Sequence, residues 1–129
     1  DAVFDLMVVL RPHLRADEFA ARVRAQEAQG YRLAGGHVAG RLVVLAGYRL
    51  TENLVRGRHL FVDDLVTAPS EQGKGYGEAM LRYLAKRAKE SEMTRVWLDS
   101  RDTARTFYEQ VGFTVHTSVP CYIDVATLT

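Results

Sequence analysis

The chain has 129 residues, 47% of them hydrophobic, which is enough for one hydrophobic core and predicts one domain over residues 1–129. Its 17 basic and 16 acidic side chains leave a net charge of +1 with no clustered basic excess, so a nucleic-acid-binding function is not expected. No apolar run reaches the roughly 18 residues of a membrane span and the start does not have the pattern of a signal peptide, so we expect a cytoplasmic protein that binds no membrane.

The first half of the chain predicts mainly strands, with one amphipathic helix between them. In chain order the predicted elements are a strand over 4–10 stopped by Pro12, a helix over 17–29 ended by Gly30, strands over 31–38 and 41–50 joined at Ala39-Gly40, and a strand over 58–67. Asparagine, glycine and similar small residues at such a connection are typical of a hairpin turn.

The second half alternates helix and strand signals before a final strand pair. The predicted elements are a helix from residue 77 with an apolar stripe, a strand over 95–99, a helix over 103–110 ended by Gly112, and two strands within 113–125. Cys121 is the only cysteine, so it cannot form an intramolecular disulfide, and we interpret it as a small buried residue of the last strands. The mixed order predicts an α/β fold.

A glycine-rich turn between the predicted strand 58–67 and the next helix carries the strongest functional signal. Gly73, Gly75 and Gly77 stand at alternate positions just before the helix. Glycine allows close backbone approach, and the first N–H groups of a helix lack intrahelical partners, so this turn predicts a site for an anion such as pyrophosphate. The segment matches neither a Walker loop nor the GxGxxG dinucleotide fingerprint.

Two segments in order resemble one known family. Residues 72–77 read QxxGxG, and residues 104–113 read AxxFYxxxGF, with the strand-like segment 95–99 between them. Together they resemble the GCN5-related N-acetyltransferase superfamily, and the resemblance covers roughly residues 55–118. Where that family often has an asparagine before the AxxFY segment, this chain has Arg101.

The resemblance implies a fold and a co-substrate. The implied fold is α/β (α+β), a mixed and mostly antiparallel sheet with a splayed central parallel pair and helices on both faces. It also implies acetyl-CoA, whose pantetheine arm lies in the splay like an extra strand. A backbone N–H near Val66 would then stabilise the oxyanion of the reaction. The residues implied to bind acetyl-CoA are Leu65, Val66, Thr67, Gln72, Gly73, Lys74, Gly75, Tyr76, Gly77 and Arg105.

Three side chains are candidates for proton transfer. The resemblance places the phenol of Tyr108 beside the CoA sulfur, where it would protonate the leaving thiolate. Asp63 and Asp64 are candidate bases or ligands of a cationic substrate. Because successive side chains alternate along a strand, we expect the two carboxylates to face opposite sides of the sheet.

The predicted activity is N-acetyl transfer from acetyl-CoA to a primary amine by direct attack in a ternary complex. Two alternatives stay open: a non-catalytic acyl-CoA-binding regulatory module, and a transferase that uses another acyl-CoA donor. The acceptor is not identified, although acidic residues near the site give a weak indication of a small cationic amine. No metal is expected because the four histidines lack ligand spacing. A homodimer is a further open alternative, since self-association is common in the superfamily.

Overall fold

Residues 1–129 are described by a computed structural model, in which a four-stranded sheet lies within the unit Asp1–Asp99 and a smaller unit comprises Ser100–Thr129. The elements of the first unit are α1 (Ala2–Leu10), α2 (Phe19–Glu27), β1 (Tyr31–Val38), β2 (Arg41–Asn53), β3 (Gly57–Thr67), a 3-10 turn (Pro69–Glu71), α3 (Tyr76–Glu90) and β4 (Val96–Leu98). Those of the second unit are a 3-10 turn (Asp102–Ala104), α4 (Arg105–Val111) and α5 (Val125–Leu128). This mixture of helices and strands confirms the predicted fold class.

The sheet has the order β1-β2-β3-β4 and is mixed. The first three strands are antiparallel, and β3 and β4 are parallel. The β1–β2 hairpin turns at Ala39 and Gly40, where φ is +50° and +78°. Positive φ at both residues suits the tight turn predicted there. Gly40 adopts such a φ without steric cost, whereas Ala39 is a non-glycine residue in this region.

The parallel pair separates after a short ladder. Only Leu60, Phe61 and Val62 of β3 pair with β4, and β4 ends at Leu98. Strand β3 continues to Thr67 and stays paired with β2 on its other edge. The sheet therefore splays as predicted, and one edge of the last third of β3 has no neighbouring strand.

Helices cover both faces of this sheet. Helix α3 packs on one face through a stripe of Met80, Leu84 and Ala88 against buried strand residues that include Leu60 and Val62. Helices α1 and α2 pack on the opposite face, against Leu45 and Val66. Burial of apolar surface on both faces stabilises the middle of the sheet.

The segment predicted as the first strand is a helix instead, so that prediction was wrong. Helix α1 begins after Asp1, whose carboxylate accepts a hydrogen bond of 2.7 Å from the backbone N–H of Phe4. Such an N-terminal cap favours helix. Leu6 and Met7 are buried, and Val3 and Leu10 are partly buried against the same core. This i, i+3, i+4, i+7 spacing is helical, and it was hidden in a short run of consecutive apolar residues.

The predicted final strand pair is also absent. Residues 113–124 form neither helix nor strand, and Cys121 is exposed, contrary to its interpretation as a buried strand residue. The apolar residues alternate here, but a strand needs a hydrogen-bonded neighbour as well as a pattern. Val119 and Tyr122 are among the exposed side chains of this segment. No helix of the protein is both long enough and apolar enough to cross a membrane.

Candidate active site

A β-bulge at Asp63 sets the orientation of the residues that follow it. Val62 pairs with Tyr48 and Asp64 pairs with Gly47, so Asp63 is the extra residue of β3. A bulge interrupts the alternation of side chains along a strand. The prediction that Asp63 and Asp64 face opposite sides is therefore wrong, because the contacts of both carboxylates lie on the face covered by α1 and α2.

The Asp64 carboxylate is held by two donors. Arg11 at the end of α1 donates from Nε to Oδ1 over 3.0 Å, and the phenol of Tyr31 on β1 donates to Oδ2 over 2.6 Å. Burial, followed by the bond to Asp64, raises the pKa of Tyr31 well above its ordinary value. Tyr31 therefore stays a proton donor at physiological pH. A Cβ atom at Gly47 would lie 1.8 Å from the Tyr31 oxygen, so glycine is required where the phenol crosses β2.

Asp63 has its own arginine. The Nε of Arg49 on β2 donates to its Oδ2 over 2.9 Å, and the other nitrogens of Arg49 bond Gln26 and the carbonyl of Gln29. The Arg49 guanidinium also lies over the ring of Tyr31, 5.3 Å from its centre. Asp63 and Asp64 thus belong to one connected polar network, and they line a cavity of about 440 Å³ beside α1 and α2.

The splayed edge of β3 offers unpaired backbone groups. Ala68 donates its N–H to the carbonyl of Val43 on β2. Bonding direction alternates along an antiparallel strand, so the N–H and C=O groups of Asp64 and Val66 also face β2. Those of Leu65 and Thr67 face the opposite edge, where β4 has already ended. An extended amide-bearing chain could bond to them as an additional strand.

The glycine turn after β3 lies directly before α3, and two of its glycines have positive φ. Gly73 and Gly75 have φ of +81° and +86°, and a Cβ at either position would meet no atom within 4 Å. Gly75 caps α3, and no side chain bonds the helix start. The first backbone bond of the helix is donated by Ala79, so the N–H groups of residues 76–78 precede it and are available to an anion.

A buried glutamate ties this turn to the sheet. The Glu71 carboxylate accepts 2.7 Å from Nζ of Lys74 and 3.0 Å from a guanidinium nitrogen of Arg41 at the start of β2. The Glu71 side chain is only 7% exposed, whereas those of Lys74 and Arg41 are 54% and 63% exposed. The bonds to Lys74 and then Arg41 hold the pKa of Glu71 below its usual range. Lys74 is thereby fixed beside the glycine turn.

The second unit carries the two remaining predicted site residues on α4. Tyr108 is half-buried, with edge-to-face contacts to the rings of Phe107 and Phe113 at 5.0 and 5.5 Å between centres. Burial raises its pKa above the ordinary value of a phenol, so it is protonated at neutral pH. Arg105 is exposed and pairs with Glu109 over 3.7 Å. No group of three or more His, Cys, Asp or Glu side chains is placed to hold a metal ion.

Sequence reasoning missed the partners of the two aspartates and of the glycine turn. Arg11 and Tyr31 lie 53 and 33 positions before Asp64, and Arg49 lies 14 positions before Asp63, so they meet the aspartates only through the fold. A short-range signal existed for Glu71 alone, because it precedes Lys74 by three residues within one turn. Gly47 interrupts a buried strand, and an isolated glycine in a strand can indicate close backbone approach or a bulge. Both features occur here.

Comparison with known proteins identifies relatives over most of the chain. Residues 3–113 match the model of the acetyltransferase (GNAT) family. An uncharacterized N-acetyltransferase of Bacillus subtilis (strain 168) is 27% identical over 117 residues, which is 87% of this chain and 82% of that protein.

Solved structures share the fold. A Trypanosoma brucei acetyltransferase has a TM-score of 0.77 and 25% identity, covering 96% of this chain and 91% of its own. A predicted acetyltransferase of Clostridium acetobutylicum, solved with acetyl-CoA, has a TM-score of 0.71 and 17% identity, covering 90% and 79% of the two chains. At that identity the second likeness concerns the fold alone.

Proposed function

Because the chain belongs to the acetyltransferase (GNAT) family, we propose that it transfers the acetyl group of acetyl-CoA to a primary amine by direct attack in a ternary complex. Acetyl-CoA is the donor that this family uses. The observation that carries the proposal is the unpaired edge of β3 at Leu65 and Thr67, which leads directly into the glycine turn at the start of α3. A strand edge that can bond amides fits the pantetheine arm of CoA, and the glycine turn that follows it fits the pyrophosphate.

The proposed donor site follows the chain from strand to helix. The backbone groups of Leu65 and Thr67 bond the pantetheine amides, and Val66 between them packs in the core and keeps this edge extended. Residues 72–77 surround the pyrophosphate, with Lys74 supplying positive charge held in place by Glu71. Arg105 is a further candidate phosphate ligand.

The reaction needs an oxyanion donor and two proton transfers. The amine nitrogen attacks the acetyl carbon, and the tetrahedral oxyanion is stabilised by the N–H of Leu65 or Thr67, because the N–H of Val66 is directed at β2. Removing one such donor typically costs about 3 kcal/mol of transition-state stabilisation. Collapse breaks the C–S bond and forms the amide, with the nitrogen's proton passing to Asp63 or Asp64 through water. Tyr108 protonates the departing thiolate.

Steady-state kinetics with acetyl-CoA and a panel of primary amines test this proposal, with release of the CoA thiol as the signal. Intersecting initial-velocity lines are expected for direct transfer in a ternary complex, whereas parallel lines would indicate an acetylated enzyme. Binding of acetyl-CoA without thiol release across the panel would instead favour the non-catalytic module. Competition between acetyl-CoA and longer acyl-CoA molecules measures the donor preference.

A further inference from the structure

The wall of the cavity beside α1 and α2 carries more positive than negative side chains. Beside the polar Gln26 and Tyr31, its wall carries one histidine and five charged side chains, which are His13, Arg11, Arg22, Arg49, Asp63 and Asp64. With histidine neutral, three guanidinium groups face two carboxylates, so the wall carries a formal charge of +1. Apolar side chains such as Met7, Phe19 and Val23 complete it. A small organic molecule with a charged end fits a lining of this composition.

The carboxylates of this wall already have cationic partners. Arg11 bonds Asp64 at 3.0 Å, and Arg49 bonds Asp63 at 2.9 Å. The Asp64 side chain is 14% exposed and also accepts from Tyr31. A dication entering the cavity would have to displace a guanidinium or lie next to one, and both are unfavourable. Because Asp63 and Asp64 are already paired, they give little support of their own to a small cationic amine without an anionic group.

The cations retain donors that an anion could use. The hydrogen bonds of Arg11 employ Nε and Nη2, which leaves its Nη1 for a further acceptor. Arg22 meets only Glu18, at 3.8 Å, and both side chains are about half exposed. Such an exposed pair is weak and yields readily to a better-placed anion. Guanidinium groups are well suited to binding carboxylate and phosphate.

The cavity also adjoins the proposed donor edge. Asp64 lines it, and the next residue of β3 is Leu65, whose backbone groups face the splay. Adjacent Cα atoms are about 3.8 Å apart, so the cavity wall and the start of that edge are separated by one residue of β3. An amine held by an anionic group at Arg11 and Arg22 would direct its nitrogen past the aspartates.

We propose that this cavity is the acceptor site and that the acceptor carries an anionic group, a carboxylate or a phosphate, in addition to its amine. This inference rests on the proposed function and names the class of its acceptor. The anion bonds Arg11 and Arg22, and the amine lies toward Asp63 and Asp64.

Amines that differ only in the anionic group provide the test. L-lysine is compared with cadaverine and L-tyrosine with tyramine for a carboxylate, and O-phosphoethanolamine with ethanolamine for a phosphate, each with saturating acetyl-CoA and thiol release as the signal. We expect the anionic member of at least one pair to have a kcat/KM at least about tenfold higher, the effect of one charge-assisted hydrogen bond. The pair that responds distinguishes carboxylate from phosphate.

Two arginine variants on α2 supply the matched control. Arg22→Gln should raise the KM of the preferred anionic acceptor about tenfold and change the KM of the counterpart that lacks the anionic group much less. Arg24→Gln, an exposed residue of the same helix outside the cavity wall, should change neither. Equal use of both members of every pair, or preference for the cationic members, would overturn this inference while leaving the proposed function intact. Absence of transfer to any amine would overturn both.

Discussion

Tyr31 and Gly47 decide where the carboxylate of Asp64 lies. The phenol crosses β2 above a residue without a side chain and reaches Asp64 over 2.6 Å. Arg11 approaches the same carboxylate from α1. One glycine therefore permits a hydrogen bond that joins β1 to β3 across the strand between them.

Gly47→Ala should destabilise the fold by about 1–3 kcal/mol, because the new Cβ overlaps the buried Tyr31 ring and forces it off Asp64. Urea unfolding of the variant and the wild-type protein measures this. In a Tyr31→Ala background the same substitution should cost much less, since the ring is gone. An unchanged unfolding midpoint for Gly47→Ala alone would show that the phenol does not occupy this position.

Tyr108 is proposed to donate a proton to the CoA thiolate, and its substitution separates chemistry from binding. Tyr108→Phe should lower kcat by about 100-fold, the smaller end of general acid effects, with little change in acetyl-CoA affinity. Stopped assays of thiol release and a direct binding titration give the two numbers. Tyr122→Phe, at an exposed tyrosine of the same unit, is the control and should behave as wild type. Equal kcat values in all three proteins would remove Tyr108 from the mechanism.

The pH dependence of Tyr108 follows from the direction of its pKa. Because burial raises that pKa, the phenol keeps its proton beyond the ordinary value of about 10. Deprotonation of Tyr108 should therefore not lower the wild-type kcat below about pH 10. A fall in kcat between pH 7 and 9 that the Phe variant lacks would contradict the predicted state of this residue.

At the scale of elements, the junction of β3 and α3 joins an open strand edge to an uncapped helix start. Gly75 has φ of +86°, and a Cβ there would meet no atom within 4 Å, so the space beside it is open to the proposed anion. Gly57, at the start of β3, has φ of +68° and is equally unobstructed. The two glycines share backbone strain and differ in location.

Gly75→Glu should abolish the rise in melting temperature caused by acetyl-CoA, because it adds bulk and negative charge at the proposed pyrophosphate site. Gly57→Glu should incur similar backbone strain and keep the ligand response. Thermal unfolding with and without acetyl-CoA compares them. A full response in the Gly75 variant would refute the assignment of this turn to the CoA pyrophosphate.

Glu71 makes the stability of the same junction depend on pH. Its lowered pKa means that its stabilising effect is complete above the unfolded value, about 4.3, and is lost as pH falls through the folded value. The Glu71→Gln variant should be less stable than wild type at pH 7, and the gap should shrink as pH falls below about 4.3. Glu78→Gln, which breaks an exposed helix pair, should have a smaller effect at pH 7. Urea unfolding at pH 7, 5 and 3.5 decides this, and a gap that stays constant would contradict the pairing.

Across the whole molecule, the elements that depend on nearby residues in the chain could be predicted from the sequence. The hairpin at Gly40, the glycine turn and the amphipathic α3 were all predicted from nearby residues, and the structure confirms them. The segment 4–10 was mistaken because a short apolar run does not separate strand from helix. The orientation of Asp63 could not be predicted, since a bulge depends on the register with β2. The network around the aspartates joins residues more than 30 positions apart in the chain, such as Tyr31 and Asp64.

We propose that the splayed edge of β3 and the glycine turn together form a site selective for CoA. Thermal unfolding with acetyl-CoA, CoA, ATP and NADH in parallel tests it most directly. At 100 times its dissociation constant a ligand adds about 2.7 kcal/mol to the free energy of unfolding. We predict stabilisation by the two CoA species and little by the other two nucleotides; no stabilisation, or an equal response to ATP and NADH, would show that this site is not selective for CoA.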